Sequence, residues 1–240
     1  MGSVLEGKVA MVTGASQGLG RALALAYARE GAMLVINSRN YESIRDVVEE
    51  IRGLGVEVLG IGADVTSSSD VEDLVDVAVE HYDRIDVLVN NAGLLGPRVA
   101  IEEYPEDEWR RVLDANLTGP FLLSKAAIPY MREGASIVNV TSGVSIEGRA
   151  EWGAYSVSKF GMEGLTQILA AELKDRGIRV NSVDPGGMRT GMRAVAYPDE
   201  DPTTRITPEE NTAVFLYLAS NESRDVTGER FKAQEFQSTR

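Results

Sequence analysis

With 240 residues and a formal net charge of −13, from 24 Lys and Arg against 37 Asp and Glu, the chain has room for one large α/β domain. It is too acidic for phosphate backbones or anionic membranes to be expected partners. The absence of cysteine excludes disulfides and thiolate sites, and the single histidine, His81, excludes histidine triads and histidine metal clusters, so no metal is expected. No run of about 18 apolar residues occurs and the N-terminus has no signal-peptide core, which makes a cytoplasmic protein the default.

Short apolar runs predict strands over residues 8–12, 33–37, 57–61, 86–90, 136–140, 179–183 and 230–233, with helical patterns between them. The first strand runs into Thr13-Gly14-Ala15-Ser16-Gln17-Gly18-Leu19-Gly20. Those glycines permit a tight turn, after which a helix over 19–30 would aim its free N–H groups and positive dipole end at a pyrophosphate. That helix carries Leu23, Ala26 and Tyr27 at near-helical spacing and stops at Gly31. The second strand ends in Ser38, Arg39 and Asn40, with no acidic residue. The third leads to Asp64 and Val65, and the helix after it, 71–82, places Val71, Leu74, Val75 and Ala78 on one face, with His81 read as a surface residue. The fourth leads to Asn90, Asn91, Ala92 and Gly93. A helical stretch over 106–131 holds Asn116, and Pro120 four residues on lacks the N–H that would bond the residue 116 carbonyl, so a kink freeing that carbonyl is expected. Ser142 follows the fifth strand, Tyr155 and Lys159 sit one helical turn apart, and Pro185 to Thr190 follow the sixth strand.

Strands apolar on both faces and alternating with helices make a single-domain, Rossmann-like, doubly wound parallel sheet the economical architecture. About seven strands in the order 3-2-1-4-5-6-7 are expected, with helices on both faces. Every conspicuous residue then falls at the carboxyl rim of the sheet, where such folds bind ligands.

This ordered set resembles the short-chain dehydrogenase/reductase family of roughly 250-residue type: T-G-A-S-Q-G-L-G, D-V at 64 and 65, N-N-A-G at 90 to 93, Asn116, Ser142, Y-S-V-S-K at 155 to 159, and D-P-G-G-M-R-T at 184 to 190. The resemblance covers nearly the whole chain. It implies an oxidoreductase moving a hydride between a nicotinamide and a small or medium carbonyl or alcohol, with a catalytic tetrad of Asn116, Ser142, Tyr155 and Lys159. A carbonyl gaining a hydride becomes an alkoxide and needs a proton, for which Tyr155 is the candidate donor. Lys159 and the oxidised nicotinamide, both cationic, would lower its pKa. Ser142 would hold the carbonyl oxygen; as a nucleophile it has neither a histidine partner nor a G-x-S-x-G elbow.

The resemblance places the cofactor on Gly14, Ser16, Gln17, Gly18, Leu19 and Gly20, on Ser38, Arg39 and Asn40, on Asp64 and Val65, on Asn91, Ala92 and Gly93, on Tyr155 and Lys159, and on Pro185, Gly186, Met188 and Thr190. Asp64 read as a plain helix cap is the competing possibility. An acidic residue after the second strand would repel a 2′-phosphate; Ser38 and Arg39 can instead donate to one, so NADP(H) is favoured and NAD(H) stays possible. Ser142, Val144, Trp152, Tyr155 and Met192 are candidate substrate contacts, with Leu94, Leu95, Ile146 and Met188 beside them, and 188–208 reads as a lid. The rival within the family is 3-oxoacyl-carrier-protein reduction, for which Arg98, Arg110, Arg111, Arg132 and Arg149 could form a basic patch. A nucleotide-binding regulatory or structural protein is the alternative of another class. Family members commonly assemble through the helices around 106–131 and 155–176, so a homo-oligomer, tetramer or dimer, is expected. The C-terminus departs from the family: Gly228 to Phe236 lacks the usual glycine pair.

Overall fold

A computed structural model describes residues 3–237. Seven parallel strands form one sheet: β1 (Val9–Val12), β2 (Met33–Ser38), β3 (Val58–Gly62), β4 (Val87–Asn90), β5 (Ser136–Val140), β6 (Arg179–Asp184) and β7 (Arg230–Lys232). Their order is β3-β2-β1-β4-β5-β6-β7, as expected from the alternation of strands and helices. The register pairs Val9 with Met33, Ala10 with Val87 and Ser136 with both Val87 and Arg179.

The helices are α1 (Gly18–Arg29), α2 (Arg45–Gly53), α3 (Ser68–Tyr82), α4 (Glu106–Leu113), α5 (Gly119–Ala127), α6 (Gly153–Leu173), α7 (Gly191–Ala196) and α8 (Ala213–Ala219). Alternate strand residues divide the core between two faces, because successive side chains point to opposite sides of a pleated strand. Ala10 and Val12 of β1 meet Leu23 and Tyr27 of α1, Ile51 of α2 and Phe215 of α8. Val9 and Met11 meet Leu74 of α3, Leu123 of α5 and Leu173 of α6. Tyr27 is fully buried, and its hydroxyl donates to the Phe215 carbonyl at 3.1 Å, satisfying the one polar atom it brings into that layer.

The expected helix over 106–131 is interrupted. Between α4 and α5 the chain widens into a π-helical stretch, Asp114–Thr118, closed by Gly119 N–H donating to the Asp114 carbonyl. Pro120 follows directly, so the i+4 donor missing from the sequence coincides with a change of helical register rather than with a simple bend. Asn116 sits in this stretch and is fully buried.

Candidate active site

The turn after β1 is closed to side chains. A Cβ on Gly20 would collide with the Gly14 carbonyl, and one on Gly14, whose φ is +65°, would lie 2.9 Å from Ala92 Cα. The turn is also strapped from β4: the Asn91 amide donates to the carbonyls of Thr13 (2.8 Å) and Gly14 (3.2 Å), while the Thr13 hydroxyl accepts from the backbones of Asn91 and Ala92. Asn91 and Ala92 thus act as struts for the glycine turn, and Gly93 packs against the Asn116 side chain. Extended Gln17 precedes α1, which has no side-chain cap and no acidic residue in its first turn. The N–H groups around Gly18, Leu19 and Gly20 therefore face the rim with their positive dipole end unopposed.

Ser16, Gln17, Ser38, Arg39, Asn40 and Ser43 line a cleft of about 360 Å³ beside that turn. The Ser38 hydroxyl donates to the Asn40 carbonyl at 2.7 Å and meets the Ser43 hydroxyl at 2.5 Å. Asn40 uses its side-chain oxygen to accept from Ser43 N–H at 3.1 Å and its carbonyl to accept from the Ser38 and Ser43 hydroxyls, so it shapes the turn and leaves the exposed Arg39 guanidinium as the charged donor of the cleft. Ser43 was missed from the sequence; its position three residues past Asn40, within the Asx turn, was the available signal. Asp64 Oδ1 accepts from the Thr66 N–H and hydroxyl at 2.9 and 2.8 Å, whereas α3 is capped by Ser67, so Asp64 is a turn former and not the helix cap. Val65 is 7% exposed, its side chain packed into the core beside Gly119.

Ser142 leaves the end of β5, and α6 begins soon enough for Tyr155 and Lys159 to lie under it. Tyr155 and Ser142 line the same cavity, and burial pushes the phenol pKa up to about 12, with the Ser142 hydroxyl opposing the rise and Asp184 adding to it. Lys159 is 5% exposed; its Nζ donates to the Val140 carbonyl at 2.7 Å and lies 5.7 Å from the Tyr155 ring centroid. Burial brings Lys159 down to about 8, with Glu163 of α6 pulling the other way. The expected lowering of the phenol by Lys159 is thus not seen in the protein itself, because desolvation outweighs an ammonium that is turned toward a backbone carbonyl. Asn116 completes the neighbourhood through its side chain: Oδ1 accepts from Leu94 N–H (2.7 Å), and Nδ2 donates to the Leu94 carbonyl (2.8 Å) and to Ser158 Oγ (3.1 Å).

Ser142 and Tyr155 open onto a cavity of about 280 Å³ whose walls include Leu95, Val144, Trp152, Met188 and Met192. Leu94 and Ile146 do not line it; Leu94 is held by Asn116, and Ile146 is 59% exposed. Pro185, Gly186 and Thr190 also line it, and Gly18 lies close to Thr190, where an added Cβ would stand 3.5 Å from the threonine methyl. The glycine turn and the cavity are therefore neighbours across Thr190. As cavity residues, Arg149, Arg193 and Tyr197 were missed from the sequence, although each lies within five residues of a named candidate, Trp152 or Met192. Arg193 is paired with Glu200 through two bonds of 2.6 and 2.7 Å, and the same carboxylate takes Arg205, so 188–208 is folded on itself by its own ion cluster.

Comparison with known proteins bears on what this rim does. A family model described as short chain dehydrogenase matches residues 8–201. The chain is 38% identical to the uncharacterized oxidoreductase YciK of Escherichia coli over 236 residues, covering 96% of this chain and 93% of the relative. The chain belongs to the short-chain dehydrogenase family. Another member of that family, 3-oxoacyl-[acyl-carrier-protein] reductase FabG of Thermotoga maritima, is also 38% identical, over 94% of this chain and 95% of its own. A structure assigned as a short chain dehydrogenase from Shigella flexneri, complexed with NADP, superposes with a TM-score of 0.92 at 38% identity, covering 98% of this chain and all of the other. As a short-chain dehydrogenase the protein is an oxidoreductase. Its family match ends at residue 201, so β7 and the segment after it lie beyond the matched region.

Proposed function

We propose that this short-chain dehydrogenase is an NADP(H)-dependent reductase or dehydrogenase of a small or medium carbonyl or alcohol, with Tyr155 as proton donor and acceptor. The observation that carries the reading is the convergence of Ser142 and Tyr155 on one cavity whose Thr190 wall meets the glycine turn. A dinucleotide fits this chain: the turn has no room for side chains, the N-terminus of α1 is unblocked, and a cleft of hydroxyls and one guanidinium lies where a 2′-phosphate would fall. The NADP held by the Shigella relative supports that choice. Bound there, a reduced nicotinamide supplies the hydride. The chain's own share is to hold the carbonyl oxygen between the Ser142 and Tyr155 hydroxyls, to pass the phenolic proton to it as charge develops, and to keep Lys159 beneath the phenol. Asn116 positions Leu94 at the edge of the site through two side-chain bonds and ties it to α6 through a third, to Ser158. The segment 188–208 is the lid in this reading.

Carrier-protein reduction, the activity named for the Thermotoga relative, fits less well. Of the five arginines that could greet an acidic carrier, Arg98, Arg110, Arg111 and Arg132 are each paired with an acid, and of those five only Arg149 has no acidic partner among the described residues. The apolar face formed by Phe121, Val157, Phe160 and Ile168, each 44 to 56% exposed, supports a homo-oligomer built through α5 and α6, which light scattering measures. The cytoplasmic, oligomeric enzyme is tested by following reduced nicotinamide absorbance across a panel of aldehydes, ketones and 3-oxoacyl thioesters with NADPH and NADH. Turnover with NADPH that falls by about 10²–10⁴-fold in Tyr155→Phe, with NADPH affinity kept, is the expected result. A preference for NADH that Ser38→Asp leaves unchanged would refute the cofactor choice, and full turnover in Tyr155→Phe would refute the proton donor.

A further inference from the structure

The end of the chain, where the sequence departs from its family, reaches back into the catalytic centre. Arg230 opens β7 and is 20% exposed at its side chain. Its Nη2 donates to the Ser142 carbonyl at 3.2 Å and to Asp184 Oδ2 at 3.0 Å, and its Nε donates to Glu163 Oε1 at 3.1 Å. Each acceptor belongs to a different piece of the site. Ser142 carries the proposed carbonyl-binding hydroxyl. Asp184 ends β6, and its other oxygen accepts from Gly186 N–H at 2.9 Å, fixing the turn into the cofactor loop. Glu163 lies one helical turn beyond Lys159 and also accepts from the hydroxyls of Ser145 (2.7 Å) and Ser182 (2.6 Å). Four residues further on, Gln234 donates to the carbonyls of Pro185 and Gly187 at 2.9 and 3.0 Å.

We infer that Arg230 is a positioning residue for the proton donor: its fork fixes the Ser142 main chain and balances the two carboxylates that flank Tyr155 and Lys159, so that the state of the phenol depends on a guanidinium that never touches substrate. A planar fork with donors on several edges suits this task, because it reaches acceptors on different sides at once, whereas a lysine gathers its three donors at a single point. The charges around Tyr155 support the direction of the effect. Lys159 stands on its own helix, Asp184 faces it from the end of β6, Glu163 faces Lys159 from α6, and Arg149 and Arg193 line the cavity from the loop before α6 and from α7. Arg230 is the cation bonded to both carboxylates. Without it, Asp184 acts on the phenol unopposed, which disfavours phenolate.

The inference rests on Tyr155 being the proton donor, and its test is separable from that reading. Protein labelled with 13C at the tyrosine Cζ is titrated from pH 6 to 10.5 in the presence of NADP+, and the Tyr155 resonance is assigned by its absence in Tyr155→Phe. In Arg230→Gln the Tyr155 midpoint is expected to rise by about one unit, on the order of a tenfold loss of phenolate at fixed pH, and Asp184→Asn added to that variant is expected to bring it back. A midpoint unmoved in folded Arg230→Gln, a phenol that stays protonated through the range in both proteins, or no recovery on adding Asp184→Asn would overturn the inference. Where Arg230→Gln does not fold, Arg230→Lys stands in, with a partial displacement expected and none counting against the proposal. Failure of the proton-donor reading shows elsewhere, as turnover retained in Tyr155→Phe.

Discussion

Lys159 has the most unusual environment of any charged side chain in the site: an ammonium buried to 5% exposure, facing a backbone carbonyl, and brought down to about 8 by desolvation. Its charge is therefore present below about pH 8 and lost above it. If that ammonium helps to hold the dinucleotide, NADPH affinity measured by calorimetry should weaken as pH rises through about 8, and Lys159→Met should bind more weakly and without that dependence. Stability moves in the opposite sense. A lysine whose folded value lies below its ordinary 10.5 costs folding free energy at low pH, where it must stay charged, and relieves the cost as pH rises from about 8 toward 10.5. Lys159→Met should then have a higher thermal midpoint than the parent at pH 7, with the gap closing toward pH 10, while turnover is lost. A lower midpoint at pH 7 would mean that the Val140 bond outweighs the desolvation of the charge.

At the level of elements, the sheet was legible and the internal order of 188–208 was not. Runs such as Ser136 to Val140, buried along their whole length, can only be strands covered on both faces, and the seven expected strands lie within a residue or two of those observed. The rim residues followed, because Gly14, Ser38, Asp64, Asn90 and Ser142 each stand at or just past a strand end. The π-helical stretch at Asp114–Thr118 escaped, since Pro120 announces a lost bond without saying how the register adjusts. The order in 188–208 escaped for a different reason: it comes from Glu200 accepting from Arg193 and Arg205, a pattern with no periodicity. Those two guanidiniums hold the Glu200 carboxyl well below its ordinary 4.5, at about 2, so the clamp is fully formed above about pH 4.5 and is lost as pH falls toward 2. Glu200→Gln should expose the segment at neutral pH. Limited proteolysis within 197–206 should quicken, and substrate KM should rise several-fold with kcat less affected, whereas wild type should become protease-sensitive only below about pH 4.5. Equal cleavage rates at pH 7 would show that the cluster does not hold the segment down.

Across the whole molecule, the catalytic rim depends on how the C-terminal third is tied to the sheet, and the tie at the opposite end of β6 is Arg179. It is 4% exposed, and its guanidinium donates to the carbonyls of Leu218 (2.8 Å), Ser220 (3.2 Å) and Gly134 (3.4 Å) and also bonds Ser223. One side chain thus joins the end of α8, the turn after it and the loop before β5 to the start of β6. No local pattern in the sequence distinguishes it from a surface arginine at a strand edge. Burial lowers its pKa, the sign of a charge that would rather be solvated and is kept by its acceptors. Arg179→Met removes those donors and leaves several buried carbonyls unbonded, which is expected to cost roughly 3 kcal/mol. For a chain of this size that is a fall of roughly 6–12 °C in thermal midpoint. Because β6 is anchored at its far end while Asp184 and the cofactor loop leave from its near end, kcat of the surviving folded protein should stay within about twofold of wild type below the transition. Thermal denaturation followed by circular dichroism, paired with turnover at a temperature well below both midpoints, separates the two outcomes. A variant with unchanged midpoint would remove Arg179 as the anchor, and one that loses kcat without losing stability would place the control of the rim inside the sheet itself.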